Sequence, residues 1–150
     1  MATERANGSP YSQFNFTVDL GQGIRAGFQE ISNIGMEVAV VEYRNGNALT
    51  NNVIKVPGLN KATDVTLKRG VIGVLDLYSW LNDIRNGTSN GKRNVTINLM
   101  SEDKTNTTPV LTWRLLNAFI MKYVGGPMNA KGSDVAMEEL TLSYERLEME

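Results

Sequence analysis

The carboxylates Asp76, Asp83, Glu102, Asp103, Glu138, Glu139, Glu145, Glu148 and Glu150 are the side chains most able to share acid–base work. A catalytic carboxylate pair needs burial and unequal surroundings to split its pKa values. None of these residues stands in a recognisable motif. Asp76 and Asp83 fall on the polar side of a helical period, and the C-terminal glutamates alternate with apolar residues, so a solvated face is expected. Gly21-Gln22-Gly23-Ile24-Arg25-Ala26 has the glycine spacing of a dinucleotide loop. That loop works only between a strand and a helix whose N-terminus meets the pyrophosphate, and here β-like alternation follows, so a hairpin turn is expected instead. No calcium-binding loop pattern is present. Asn-x-Thr sites at Asn15, Asn86, Asn94 and Asn106 carry meaning only on a eukaryotic secretory route. Trp80 and Trp113 lie on apolar phases and read as core, not as a stacking platform for a ligand.

The composition narrows the chemistry further. The chain has 150 residues, no histidine and no cysteine, which removes the commonest general base, the thiolate nucleophile and the usual zinc ligands. The net charge of -1 lacks the basic footprint that neutralises phosphates. With 41% hydrophobic and 21% charged residues the chain reads as globular, and its length suits a single domain over residues 1–150. The polar segment 1–11 has no apolar stretch of signal-peptide type and reads as flexible. No run approaches the roughly 20 apolar residues that cross a bilayer. Neither a cofactor nor a metal is expected.

The elements are mainly strands. Phe14, Phe16, Val18 and Leu20 alternate with Gln13, Asn15, Thr17 and Asp19, a strand with one apolar and one polar face. Ile24 to Ile34 resumes the alternation with a slip near Ser32-Asn33. Met36 to Tyr43 carries valine on both faces, so both faces are expected to meet protein. Residues 44–62 have little period and read as a long loop, with Val53 to Val56 as a short strand within it and Pro57-Gly58 closing it. Thr63 to Arg69 is a strand. Val74, Leu77, Tyr78, Leu81 and Ile84 recur at helical spacing with Trp80 at the margin, which predicts a helix over 73–86, stopped at Asn86-Gly87. Strands follow at Arg93 to Met100, at Leu111 to Tyr123 with an interruption at Asn117, and at Ser133 to Leu147 with a bulge near Glu138-Glu139. The fold class expected is mainly β: an antiparallel β-sandwich or barrel with one flanking α-helix. The expected core includes Phe14, Phe16, Val18, Leu77, Trp80, Leu81, Ile97, Trp113 and Leu142. Long sheets with polar outer faces and no catalytic cluster suit self-assembly, which would satisfy exposed edges. A β-sandwich binding module, an adhesin or a carbohydrate-binding domain, is the alternative.

Several segments in order resemble the tail-tube family of contractile phages and extracellular contractile injection systems. They are Ala26 to Ser32 followed by Glu42-Tyr43-Arg44-Asn45-Gly46, Val56-Pro57-Gly58-Leu59-Asn60-Lys61 running through Val65 to Val71 into Leu77-Tyr78-Ser79-Trp80, Trp113 to Lys122 around Asn117-Ala118-Phe119, and Met137 to Leu147. The resemblance runs from about residue 12 to the end. It implies a tail-tube fold, hexameric rings stacked into a hollow inner tube, and a sheath that drives the tube through a target envelope. The partners implied are further copies of the chain, the sheath, baseplate or hub and cap proteins, and a tape-measure protein, DNA or effector as cargo, with no direct membrane anchor. Assembly in a bacterial cytoplasm and a place in a phage tail-like particle, released or membrane-anchored, follow from it. The polar strand phases are then the candidate lumen face: Gln13, Asn15, Thr17 and Asp19; Asn94, Thr96 and Asn98; and Glu139, Thr141, Ser143 and Glu145.

Overall fold

In a computed structural model, described for residues 2–21, 25–32, 34–47, 49–88, 91–103, 105 and 107–150, the period-two segments form strands and the helical period forms a helix. The elements are β1 (Phe16–Asp19), β2 (Arg25–Ala26), β3 (Glu30–Ser32), β4 (Met36–Tyr43), β5 (Ile54–Ala62), β6 (Val65–Gly70), α1 (Asp76–Arg85), β7 (Arg93–Leu99), β8 (Leu111–Gly125), β9 (Met137–Ser143) and β10 (Arg146–Met149). Gln22, Gly23, Ile24 and Asn33, on which the expected turn and slip fall, lie outside the described residues, as does Asn106.

All pairings are antiparallel, and the main sheet runs β2-β1-β7-β8-β9-β6-β3 with β10 also on β8. The long strand β8 is the hinge of this sheet. Its first part pairs with β7 and β10, and its second part pairs with β9. Between them Asn117 adopts φ 53, a left-handed conformation that asparagine tolerates better than most residues. The chain bends there, so the two halves of the sheet bring their apolar faces into one core. Val18, Leu20, Val95, Ile97 and Leu115 come from one half, and Val65, Leu67, Leu140 and Leu142 from the other. The last strand is not bulged at Glu138-Glu139 as expected. It jogs at Tyr144-Glu145, opposite the bend at Asn117, and β10 continues along the same edge of β8. The Tyr144 hydroxyl fixes the jog by donating to the Gly35 carbonyl at 2.7 Å.

Leu77 and Trp80 dock α1 on this core, and Leu81 and Ile84 pack at its rim. Trp80 is fully buried, not marginal, because its indole N–H reaches the Gly91 carbonyl at 2.9 Å and satisfies the ring's one polar group. The helix is shorter than the 73–86 expected. Val74 lies in the preceding loop, exposed, and Tyr78 faces solvent although it shares the apolar period. Among the expected core residues Val18, Leu77, Trp80, Ile97 and Leu142 are buried, and Phe16, Leu81 and Trp113 pack partly buried against them. Phe14 is not in the core. It precedes β1, where no neighbouring strand covers it, and is 65% exposed.

The 44–62 stretch is loop only in its first part, between Tyr43 and Ile54. Its second part, Ile54–Ala62, is β5, which pairs with β4 as a separate two-stranded arm. Pro57 is tolerated in β5 because this strand pairs on one side only. The register shifts between Val38 and Val40, and Gly58 fits that irregularity: a Cβ there would stand 3.1 Å from the Ala39 carbonyl oxygen.

The segment before β1 makes specific contacts. The Thr3 N–H donates to the Val110 carbonyl at 2.8 Å, and Arg5 pairs with Glu102 and lies over the Tyr11 ring. Glu102 also accepts from the Ser12 N–H at 2.9 Å, and that backbone bond is the main reason its pKa falls from the ordinary 4.5 to about 2. A depressed carboxylate pKa contributes stability that is present above the unfolded value and lost as pH falls through the folded one. Amide exchange at Ser12 is therefore expected to accelerate between pH 4.5 and about 2 and to be unaffected by that group at higher pH. Intrinsic-rate-corrected protection that is flat across this window would show that Glu102 does not hold the segment.

Candidate assembly surfaces

Of the carboxylates expected on a solvated face, Glu138 is buried and Asp76 is half-buried. Arg69 and Glu138 occupy inward positions of β6 and β9, directly paired in register, and are only 4% and 7% exposed. The Arg69 guanidinium binds Glu138 through Nε and grips Asp76 with both terminal nitrogens, at 2.6 and 3.1 Å. Tyr123 donates its hydroxyl to the second Glu138 oxygen at 2.6 Å, and the Phe28 ring lies 5.5 Å from the guanidinium. Burial alone would lower the Arg69 pKa and raise that of Asp76. The hydrogen bonds between them outweigh it, so Arg69 is raised and Asp76 lowered. The Glu138 carboxylate holds the Tyr123 hydroxyl protonated by raising its pKa. This is a closed ion network: among the described residues no buried side-chain nitrogen or oxygen lacks a partner. Each carboxylate is committed to a cation or a donor, so neither is poised to move a proton. Among the described residues no group of three or more metal-ligating side chains of the His, Cys, Asp and Glu types comes together.

The polar strand phases form two separate surfaces. Cross-strand partners share a face. Thr17 pairs with Asn98 and Asp19 with Thr96, and the rows continue onto β8 as Thr112 and Arg114. Asn98 sits at the centre, its amide donating to the Thr17 hydroxyl at 3.3 Å and its carbonyl oxygen accepting from Thr112 at 2.9 Å. Gln13 and Asn15 precede β1, and Asn15 is turned to the Ser101 carbonyl at 2.7 Å. The third group, Glu139, Thr141 and Ser143, lies on β9, on the outer side of the other half of the sheet. The bend at Asn117 separates the two surfaces. Glu145 belongs to neither row. It stands in the jog and binds Lys92 and Asn117, each at 2.8 Å.

The remaining surfaces are apolar. On the arm, Val41 faces Val56 and Tyr43 faces Ile54 on one side, while Val38 and Val40 occupy the other side of β4. All of these are exposed, and of the arm only Ala62, at its root, packs against the core. A two-stranded ribbon is at best marginally stable alone, and fully burying a valine or isoleucine side chain is worth about 1.5–3 kcal/mol. A second set of exposed apolar side chains lies at the other end of β6: Ile72, Val74 and Leu75 in the loop before α1, and Met128 and Val135 in the 126–136 loop, which is joined to the first by the Val71 N–H bond to the Ala136 carbonyl. Alternation made the polar rows visible. The arm's second strand and the buried network were missed, because Pro57-Gly58 reads as a break and Glu138 reads as a surface residue.

The geometry has counterparts among known proteins. Residues 12–148 match the model of the T4-like virus tail tube protein gp19 family. The fold superposes with TM-score 0.82 on a chain of the PVC extracellular contractile injection system sheath-tube complex in its extended state, at 30% identity, covering 94% of this chain and 91% of that one. A chain of the anti-feeding prophage tube-terminating cap gives TM-score 0.82 at 26% identity, covering 95% and 91%. Hcp1 from Flavobacterium johnsoniae shares the fold alone, with TM-score 0.57 at 11% identity over 89% of this chain and 93% of that one. No sequence among the curated proteins matches. This mainly β subunit, with its buried carboxylate tied into an ion network and an apolar arm without cover of its own, belongs to the T4-like virus tail tube protein gp19 family: it is a structural tube subunit and not an enzyme.

Proposed function

We propose that copies of this chain close edge to edge into hexameric rings, which stack as the hollow inner tube of a contractile injection particle. The relatives come from a sheath-tube complex, a tube terminator, a tube-terminating cap and a baseplate. By analogy this tube is surrounded by a sheath, ends at a cap and a baseplate, and conducts a tape-measure protein, DNA or an effector. It functions in a phage tail-like particle or an extracellular device. The observation that carries the reading is the arm. A ribbon with apolar side chains on both faces and no core of its own is stable only when neighbouring copies cover it.

The lumen in this proposal is the face of β1 and β7 that carries Thr17, Asp19, Thr96 and Asn98. These groups are small, and they hydrogen-bond or pair along the sheet, so a passing cargo meets no large apolar side chain. Glu139, Thr141 and Ser143 then lie away from the channel. Single substitutions Thr17→Cys and Thr96→Cys in this cysteine-free chain test the assignment. A small maleimide is expected to label both positions in tubes and in separated subunits, and a bulky one to label them only in separated subunits. Full modification of long tubes by the bulky reagent would put this face outside.

A further inference from the structure

The buried ion network sits beneath the apolar end of the subunit, and its connections explain why that end has a fixed shape. Arg69 is the last residue but one of β6, and Asp76 opens α1. The ion pair between them therefore clamps the two ends of the loop that carries Val71, Ile72, Val74 and Leu75. Arg69 also holds Glu138, one residue into β9, at the end of the second loop, which runs from Gly126 to Ala136. The loops are stitched together beside it. The Val71 N–H donates to the Ala136 carbonyl at 2.9 Å, and the Gly126 N–H donates to the Met137 carbonyl at 2.7 Å. Gly126 has no room for a side chain, since a Cβ would come 2.6 Å from that carbonyl oxygen. Asp76 also accepts from the Leu77 N–H at 2.8 Å in the first turn of α1. One guanidinium thus anchors both loops, and outside it Ile72, Leu75, Met128 and Val135 are 74, 68, 85 and 77% exposed.

This surface and the arm lie at opposite ends of the same strands. The arm's root, at Gly35 and Thr63, adjoins the start of β6 and the end of β9, where Tyr144 stands. The loop surface adjoins the end of β6 and the start of β9, about 17 Å away along the strand. A subunit with an apolar projection at one end and an apolar surface at the other meets its own kind head to tail. A buried ion network is poorly explained by stability alone. Well-packed apolar residues usually serve as well, whereas a network can fix one conformation among several.

We infer that Arg69 is a positioning residue for assembly: through Asp76 and Glu138 it shapes the 71–75 and 126–136 loops into the surface that receives a second copy of this chain. The inference rests on the tube reading above. Tubes grown from the unaltered protein establish that reading independently.

The test compares Asp76→Asn, which keeps the side-chain volume and the Arg69–Glu138 pair, with Ile72→Ser, which alters the surface and leaves the network intact. The readouts are hydrogen exchange by mass spectrometry on unassembled subunits and the lowest protein concentration that supports tube growth. Asp76→Asn is expected to accelerate exchange over residues 71–77 while leaving β8 protected, and to raise the required concentration about tenfold. Ile72→Ser is expected to raise that concentration without changing exchange. Arg69→Lys, which cannot bridge both carboxylates in the same planar fork, should fall between wild type and Asp76→Asn in both readouts. It replaces Asp76→Asn as the test variant if the latter does not fold. Unchanged exchange in the network variant would show that the clamp does not hold the loops. Loosened loops with tube growth at the wild-type concentration, or normal growth of Ile72→Ser, would show that this end is not the receiving surface. Absence of tubes from the unaltered protein would overturn the tube reading and the inference with it.

Discussion

Replacing Arg69 with alanine is expected to destabilise the subunit by about 3–5 kcal/mol, because it leaves two carboxylates in a site built for their neutralisation. Glu138 is 7% exposed and would keep the Tyr123 hydroxyl, and Asp76 would keep backbone N–H donors but no cation. Denaturant unfolding of unassembled subunits measures the loss. Lys92→Ala, which removes an exposed partner of Glu145, is the control and should leave the midpoint unmoved. A midpoint for Arg69→Ala within about 0.5 kcal/mol of wild type would show that the network is not a buried one. Acid is a blunter probe of the same site. The Asp76 pKa is lowered, so its contribution is complete above the ordinary carboxylate range and disappears only as pH falls through the lowered value. Neutral and mildly acidic solutions should leave the Arg69–Asp76 pair intact.

The second large effect concerns assembly and spares the fold. Val41 and Val56 face one another on one side of the arm. Val41→Asp combined with Val56→Asp puts two carboxylates where the proposal requires apolar cover. Burying an unpaired charge costs several kcal/mol, and each 1.4 kcal/mol is about a tenfold change in an association constant. Association is therefore expected to fall by at least about a hundredfold. Both side chains are exposed in the single subunit and neither touches the core cluster. The circular dichroism spectrum and the unfolding midpoint should therefore stay near those of wild type, while sedimentation shows no species above the single subunit. Tubes of normal length from this double variant would remove the arm from the assembly.

Particular residues show why some of this was legible in the sequence and some was not. The strands around Val18, Ile97 and Leu142 and the helix around Leu77 are written as periods, because one face of each meets the core and the other meets water. Polar partners such as Thr17 and Asn98 could be assigned a face from alternation, but not a common surface, since that depends on strand order. Glu138 reads as surface because a charged residue is seldom buried, and only the register that places it opposite Arg69 reveals its partner. The arm was half visible. Valine on both faces of β4 signalled contact with protein, yet β5 contains Pro57, Gly58, Asn60 and Lys61 and lacks a period. Its conformation is set by pairing with β4 and by cover that its own chain does not supply. Phe14 has the phase of a core residue but stands beyond the last paired position of β1. Sequence periodicity records the faces that one chain buries within itself. Surfaces buried between copies follow a different logic.

The central claim is that this chain builds a tube, and direct imaging tests it. Purified protein, concentrated and examined by cryo-electron microscopy, is predicted to form hollow tubes of stacked six-fold rings. The β1–β7 face should line the channel, and the β4–β5 arm should be buried between copies. Dispersed single subunits at every concentration, or filaments without a channel, would contradict it.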